Sequence, residues 1–305
     1  MATRADLIDQ FTRQGLSKKA IELLRLELAE NPDEARLHAL LALNLMREKR
    51  LAAAEHEALL ALKMEPDLPL AHIVYGHVQL ARQRYEQARE TFHQAVALAP
   101  RSSEAHLGLG RCHESLGDLK AARDAYLEAR GLDPASANPH FRLAAMALNE
   151  RDMETAEAEA QEALALETED ADNLVLMGMI RFHQWRMDEA RDLCMSALRV
   201  NPEHQQARWL LCMLKAREMP LIAPWWHYNG WIGRQTQQGR IGTLVTMYLA
   251  YRLLFLILGD LGFDRAAYWL GWVWLAFCVY TWFAPAVFEW MLEREKKRVQ
   301  LKDDF

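Results

Sequence analysis

Residues 103–136 read SEAHLGLGRCHESLGDLKAARDAYLEARGLDPAS, and this stretch of 34 residues decides the fold. Each half places apolar side chains three and four positions apart, which is typical of an amphipathic α-helix. A short turn, Leu116-Gly117-Asp118, separates the halves. Pro134 ends the second half, because proline lacks a backbone N–H and disfavours a helical residue before it. The stretch therefore predicts two antiparallel helices joined by a short turn.

The same residue types return every 34 residues along the chain. Proline closes five of the periods, two columns hold alanine, and a fourth column holds small residues. The columns are Pro32, Pro66, Pro100, Pro134 and Pro202, with Thr168 in the remaining slot; Ala20, Ala54, Ala88, Ala122, Ala156 and Ala190; Ala61, Ala95, Ala129, Ala163 and Ala197; and Ala42, Gly76, Gly110, Ala144 and Gly178. Small side chains let two helices approach closely. One helix pair cannot bury its apolar face alone, so the pairs are expected to stack.

This pattern resembles the tetratricopeptide repeat family, which places a small residue, two alanines and a proline at fixed offsets in 34 residues. The resemblance covers residues 1–204 and implies an all-α fold, a right-handed α-solenoid of about six helix pairs. The first repeat is degenerate, as is usual for a terminal repeat. The predicted units are residues 1–34, 35–68, 69–102, 103–136, 137–170 and 171–204, followed by a capping helix over residues 205–219.

Histidine replaces the early tryptophan of the family in four repeats, at His38, His72, His106 and His140. A regular histidine series suggests a metal site, but the geometry of packed helices opposes it. Packed helices lie about 8–10 Å apart, whereas zinc needs each ligand nitrogen at about 2.0–2.1 Å. Successive repeats therefore cannot bring two of these side chains onto one ion. We expect helix-packing histidines and no metal site.

The resemblance implies that the first helix of each pair lines a concave groove for an extended peptide or a partner helix. The clamp of Lys, Asn and Arg that some members use for a terminal carboxylate is absent here, because most of these offsets are apolar. An apolar groove rimmed by arginines fits an amphipathic helix or an apolar segment. Alternatively, curvature or the C-terminal region buries part of this surface. The predicted groove residues are Leu43, Met46, Arg47, Ile73, His77, Leu80, Leu107, Arg111, Phe141, Arg142, Leu148, Met179 and Phe182.

The C-terminal part differs in composition, since eight of the ten tryptophans follow residue 220. Residues 241–262 and 266–291 are apolar runs of about the length that crosses the hydrocarbon core as a helix. They predict a two-helix transmembrane hairpin. A soluble helical hairpin packed against the solenoid is the competing interpretation.

Aromatic and basic residues flank the two runs. Residues 220–240 are predicted to form a tryptophan-rich interfacial linker, because aromatic side chains followed by arginine are typical of a membrane edge. The linker residues at this edge are Trp225, Trp226, Tyr228, Trp231, Arg234 and Arg240. Basic residues also fill the tail 292–305, whereas the loop between the runs holds Arg265 alone. The positive-inside rule then places both termini and the repeats on the cytoplasmic side of a membrane crossed twice. Residues 1–10 lack the apolar segment of a signal peptide, in agreement with that placement.

Arg252 falls near the middle of the first run, where a charge costs about 2.5–3.5 kcal/mol on insertion scales. One interpretation is that it pairs with a group in another subunit or another membrane protein. The other is that its long side chain reaches the interface from a tilted helix.

No motif of an enzyme is present: the sequence has no phosphate-binding glycine loop, no HExxH and no G-x-S-x-G. The four cysteines lack metal spacing and are interpreted as reduced thiols. The net charge of −6 gives no reason to expect nucleic acid. We therefore expect no enzymatic activity and no cofactor.

The predicted function is that of a membrane-anchored scaffold whose groove binds a protein partner at the cytoplasmic face. That partner could itself be a membrane protein, and the lipid bilayer is the second predicted contact. The alternative is a homo-oligomeric, channel-like or membrane-perturbing assembly that the repeats regulate. An assembly factor that escorts a membrane protein would have the same sequence features.

Overall fold

The computed structural model describes residues 3–218 and 237–283, except 262, 264, 267, 281 and 282. It divides into two compact units, Met1–Thr168 and Glu169–Phe305. The regular secondary structure of the described residues is helical, without strands. The helices are α1 Arg4–Arg13, α2 Ser17–Glu30, α3 Ala35–Arg47, α4 Leu51–Met64, α5 Pro69–Ala81, α6 Tyr85–Leu98, α7 Ser103–Leu116, α8 Leu119–Leu132, α9 Ala137–Glu150, α10 Met153–Leu166, α11 Ala171–His183, α12 Met187–Val200, α13 Gln205–Glu218 and α14 Gln237–Asp260.

In the first unit the helices pack as pairs along the chain. Helix α3 packs against α4, α5 against α6, α7 against α8, and α9 against α10. Each second helix then packs on the first helix of the next pair, and α5 also touches both α3 and α7. The first helices of neighbouring pairs therefore lie side by side, which is the arrangement that makes a shared surface.

Glycines on first helices admit two buried aromatic rings. A Cβ at Gly108 would lie 2.1 Å from Cε1 of Phe92, and one at Gly76 would lie 2.7 Å from Cε2 of the same ring. At Gly110 a Cβ would lie 2.5 Å from Cε1 of Tyr126. Both rings are fully buried. Phe92 thus fills the space between α5 and α7, and this contact needs glycine on both helices.

Every first helix from α1 to α11 ends at a residue with positive φ, again at intervals of 34. These residues are Gly15, Lys49, Gln83, Gly117, Arg151 and Trp185, with φ between 59° and 86°. The next residue donates its N–H to the carbonyl five positions earlier, at 2.9–3.0 Å, as in a Schellman motif. Four of the six residues carry a side chain in a conformation that favours glycine. The turn geometry is therefore kept while the residue type varies.

The second unit begins with α11, α12 and α13, which pack on one another. Cys194 donates a hydrogen bond from Sγ to the carbonyl of Ala207 at 2.9 Å. Burial raises the pKa of Cys194 to about 12 and that of Cys212 to about 11. Both thiols therefore stay protonated at neutral pH and act as packing groups.

The second unit also contains α14 and a helical stretch at residues 268–280. Tyr251 stacks on Trp274 with ring centroids 4.7 Å apart and planes at 11°. Away from this contact most large apolar side chains of both helices are exposed. They are Tyr248, Leu249, Leu253, Leu254, Leu256, Ile257, Leu261, Phe263, Tyr268, Trp269, Trp272, Val273, Leu275, Val279 and Phe283.

Within the described residues, no helix combines the length and the hydropathy that crossing a membrane requires. The predicted transmembrane hairpin is not supported by this finding and stays a prediction. Arg240 and Arg252 both lie in α14, and Arg252 is exposed. Trp225, Trp226, Tyr228, Trp231 and Arg234 of the predicted linker lie outside the described residues, as does the tail 292–305.

Candidate functional site

The structure divides the predicted groove residues of the first unit into buried and accessible ones. Leu43, Met46, Arg111, Phe141 and Arg142 are half-buried, and Arg47 is exposed. Five others are buried: Ile73, His77, Leu80, Leu107 and Leu148. In the second unit Met179 and Phe182 are half-buried on α11.

The buried members belong to the core for a simple reason. Neighbouring first helices are close enough that residues facing the next repeat lose their solvent. Ile73 and Leu80 pack in one cluster with Phe92, and Leu107 packs with Tyr126 and its neighbours. The accessible part of the predicted groove is therefore smaller and more polar than the sequence suggests.

Charged side chains meet on the first helices α3, α5, α7 and α9. We call the set the groove cluster, and it consists of Arg47, His77, Glu104, Arg111, Glu114 and Arg142. His77 is its centre: Nε2 lies 2.8 Å from Oε1 of Glu104, and Nδ1 lies 3.5 Å from Nη1 of Arg111. A guanidinium group only donates, so Nδ1 accepts and the proton of His77 sits on Nε2. The edge of Phe92 contacts the imidazole at a centroid distance of 5.0 Å, which fixes the ring.

Glu104 responds to this environment. The hydrogen bond from His77 holds the pKa of its carboxyl below the ordinary value, and the positive charges of Arg111 and Arg47 act in the same direction. Glu104 therefore stays ionised well into the acidic range. Sequence reasoning missed this residue, because it lies in the first turn of α7 rather than at a groove offset.

Arg111 is less well neutralised than Glu104. Burial lowers the pKa of Arg111, and the positive charge of Arg142 lowers it further. In the described part of the chain its hydrogen bonding is limited to the 3.5 Å contact with His77, and it has no carboxylate at ion-pair distance. A half-buried guanidinium group beside a second one is an unfavourable arrangement unless an anion compensates it.

The remaining cluster charges have partial partners. Nη1 of Arg142 lies 3.8 Å from Oε2 of Glu114, and that oxygen already accepts a 2.6 Å hydrogen bond from the hydroxyl of Tyr126. Burial and this hydrogen bond raise the pKa of Tyr126. Arg47 donates to the backbone carbonyl of Thr12. Three guanidinium groups thus face two carboxylates, and a neutral His77 leaves one positive charge in excess.

The surface of the second helices is organised differently, because its charges pair within the chain. Glu55 lies 2.8 Å from both Arg82 and Arg84. Arg123 pairs with Glu150. Another carboxylate, Glu159, binds both Arg130 and Nδ1 of His140, the latter at 2.7 Å. These contacts satisfy the charges of that surface without a ligand, so the groove cluster is the better candidate site.

The histidine series has a packing role. Nε2 of His38, His72 and His106 lies 2.9, 2.6 and 3.0 Å from the carbonyl oxygen of the proline six residues earlier. Each ring thereby fixes the turn that enters its repeat. The constant spacing of six between the proline and histidine columns was the sequence signal for this contact. Among the described residues, no group of three or more His, Cys, Asp or Glu side chains is arranged to hold a metal ion.

Known proteins provide an independent comparison. The tetratricopeptide repeat profile matches residues 76–137, which include α6, α7 and α8. No curated protein sequence matches the chain. The matched segment contains Phe92, Arg111 and Tyr126, so it covers the centre of the groove cluster.

Solved structures extend the likeness. The Cut9–Hcn1 hetero-tetramer of the APC/C superposes with a TM-score of 0.65 and 18% identity, covering 70% of this chain and 42% of that one. A tetratricopeptide repeat protein of Parabacteroides merdae gives a TM-score of 0.57 and 16% identity over 70% and 83% of the two chains. A thermophilic one of Thermus thermophilus gives 0.54 and 23% over 59% and 98%.

These structures are similar in fold, and their identities are too low to transfer partners. The chain spans less than half of the length of its match in the Cut9–Hcn1 structure. With the helix pairs described above, the comparisons confirm the predicted all-α solenoid of repeated helix pairs.

Proposed function

Since the chain is a tetratricopeptide-repeat protein, we propose that it is a scaffold that binds a segment of a protein partner against α3, α5, α7 and α9. The observation that carries the proposal is the contrast between its two surfaces. The second helices pair their charges within the chain, whereas the groove cluster keeps a positive charge in excess beside the half-buried side chains of Leu43, Met46 and Phe141. A surface with uncompensated charge and accessible apolar area is suited to a polypeptide ligand.

Purification of the full chain from its native cells in a mild detergent tests this proposal. We expect a second protein in stoichiometric amount, measured by native mass and composition. Phe141→Glu places a charge on the groove and should release that protein. Leu127→Glu, an equivalent change on the exposed side of α8, should not. Circular dichroism checks that both variants stay helical, and retention of the partner by Phe141→Glu would contradict the proposal.

We further propose that the C-terminal helices attach the scaffold to a membrane, with the repeats on the cytoplasmic side. Two facts support this part. The runs 241–262 and 266–291 are apolar over about the length of a bilayer core. In addition, large apolar side chains such as Leu253, Leu256 and Trp269 are more than half exposed. Contiguous exposed apolar surface of this kind marks a site of contact with lipid or protein.

Fractionation of cells tests the membrane part separately. The full chain should stay in the membrane pellet after an alkaline carbonate wash, which removes peripheral proteins. A Leu253→Arg/Val273→Arg variant, with two charges on the exposed apolar surface, should be recovered in the supernatant. Recovery of the unmodified chain in the soluble fraction without detergent would contradict membrane attachment and leave the groove proposal standing.

A further inference from the structure

The groove cluster is incomplete as an electrostatic unit. Arg111 is half-buried, its guanidinium group lies near that of Arg142, and no carboxylate of the described chain reaches it. The nearest acids are already engaged: Glu104 accepts from His77, and Glu114 accepts from Tyr126. A charge that has lost part of its water is normally paired, since its desolvation is otherwise not compensated.

We propose that the partner segment carries an aspartate or glutamate whose carboxylate binds between Arg111 and Arg142. This inference rests on the proposed function and names the chemistry of its ligand. Apolar side chains next to that acid cover Phe141, whose ring already contacts the guanidinium group of Arg142 at 5.6 Å. The ligand is thus an internal segment with one central acid and apolar neighbours.

A single carboxylate fits the charge of the site better than a phosphate group does. The cluster has one excess positive charge, and a carboxylate neutralises it. A phosphate group carries close to two negative charges at neutral pH, and it would face the carboxylates of Glu104 and Glu114. Arginine also matches a carboxylate geometrically, because its planar group forms two parallel hydrogen bonds with the two oxygens.

The position of the cluster also explains why an acid would determine specificity. Arg111 is fixed by His77, whose ring is held by Phe92 and Glu104. A preorganised guanidinium group loses little freedom when it binds, so its hydrogen bonds contribute fully to affinity. A segment with glutamine in place of the acid would leave the excess charge of Arg111 and Arg142 covered and unpaired, which is costly.

Selection from a random peptide library tests the inference on the full chain in detergent. We suggest messenger-RNA display of 14-residue random segments between constant flanks, so that no selected segment has a free C-terminal carboxylate. The unmodified chain should enrich segments with one Asp or Glu and apolar residues near it. Replacing that acid by Gln or Asn in a synthetic copy should raise Kd about tenfold or more.

Matched variants of the chain show whether Arg111 is responsible. Arg111→Met keeps the length of the side chain and removes the charge, so its selections should keep the apolar residues and lose the acid. Arg111→Lys should restore the preference for an acid, with weaker binding. Arg123→Met removes an arginine from α8, where it pairs with Glu150, and should select the same segments as the unmodified chain.

The outcomes separate the inference from the function on which it rests. Segments without an acid, or acids that persist with Arg111→Met, would overturn the inference while the scaffold function stands. If neither apolar nor acidic segments are selected, both are contradicted. If binding appears only when the segments end in a free carboxylate, the site binds a chain terminus, and the proposed internal acid is wrong.

Discussion

Phe92 in α6 and Trp272 in the C-terminal helical stretch are both large aromatic residues, and the chain treats them in opposite ways. Phe92 is fully buried between two glycine-containing helices of the first unit. Trp272 is 51% exposed, and its neighbours on the same helix are exposed as well. The repeats bury their apolar side chains by stacking on one another. The described C-terminal helices leave theirs on the outside, where only another molecule or a bilayer could cover them.

The largest expected effect tests this contrast directly. Phe92→Ala should lower the free energy of unfolding by about 3–5 kcal/mol, because it removes a buried ring and leaves a cavity that α5 and α7 cannot close. Trp272→Ala should change it by less than about 0.5 kcal/mol, as expected for an exposed position. Urea unfolding of the full chain in detergent, followed by circular dichroism, measures both. Equal losses in the two variants would remove the basis of the comparison.

A second prediction concerns the glycines that admit the ring. Gly108→Ala should lower the free energy of unfolding by about 2 kcal/mol, because its Cβ would overlap a ring that has no room to move. Gly131→Ala is the matched control: that glycine is also helical but faces open space. The control should gain about 0.5 kcal/mol from the better helix propensity of alanine. If both substitutions stabilise the chain, the close packing of Phe92 on α7 is not real.

Backbone rather than side-chain packing is tested by the turn residues. Trp185 is 71% exposed and has a φ of 65°. Trp185→Gly should therefore raise the free energy of unfolding by about 0.5–1 kcal/mol, because glycine adopts this conformation without steric cost. Gly117→Ala, at the equivalent turn, should lower it by about 1 kcal/mol. Thermal unfolding of the two variants and the unmodified chain measures the difference. A loss in Trp185→Gly would indicate that the indole contributes more than the backbone costs.

The smallest effect is a pH dependence. The pKa of Glu104 is lowered in the folded chain, so its contribution to stability is complete above the ordinary pKa of a carboxyl group and is lost as the pH falls through the lower folded value. The side chain is 55% exposed, and the contribution is limited to a few tenths of a kcal/mol by solvent. Glu104→Gln should therefore differ from the unmodified chain at pH 7 and match it near pH 3. Unfolding curves at both values check this, and a gap that widens toward pH 3 would contradict the assignment.

The sequence predicted the helix pairs because their constraints are local and repeated. Alanine, glycine and proline at intervals of 34 encode close helix contacts and helix ends, and these follow from residue type alone. The left-handed turn column escaped sequence reasoning for the opposite reason. Its members include Lys49, Gln83 and Trp185, which share a backbone geometry and no chemistry.

The candidate site was only partly predictable. Arg47, Arg111 and Arg142 were predicted as groove residues, but the position of Glu104 depends on how α7 packs beside α5. The burial of Ile73, Leu80, Leu107 and Leu148 likewise follows from the distance between neighbouring first helices. Such contacts arise between repeats, so a motif read within one repeat does not contain them.

Site-specific photo-crosslinking tests the central claim, that a protein partner binds the surface of the first helices. A photoreactive phenylalanine analogue at Leu43 on α3 is compared with the same analogue at Leu59, which is exposed on α4. In native cells, irradiation should give one discrete crosslinked species with a second protein from position 43, and Arg111→Met should reduce it. The analogue at position 59 should not give that species. The same species from position 59 alone, or from both positions with equal yield and no effect of Arg111→Met, would contradict the account.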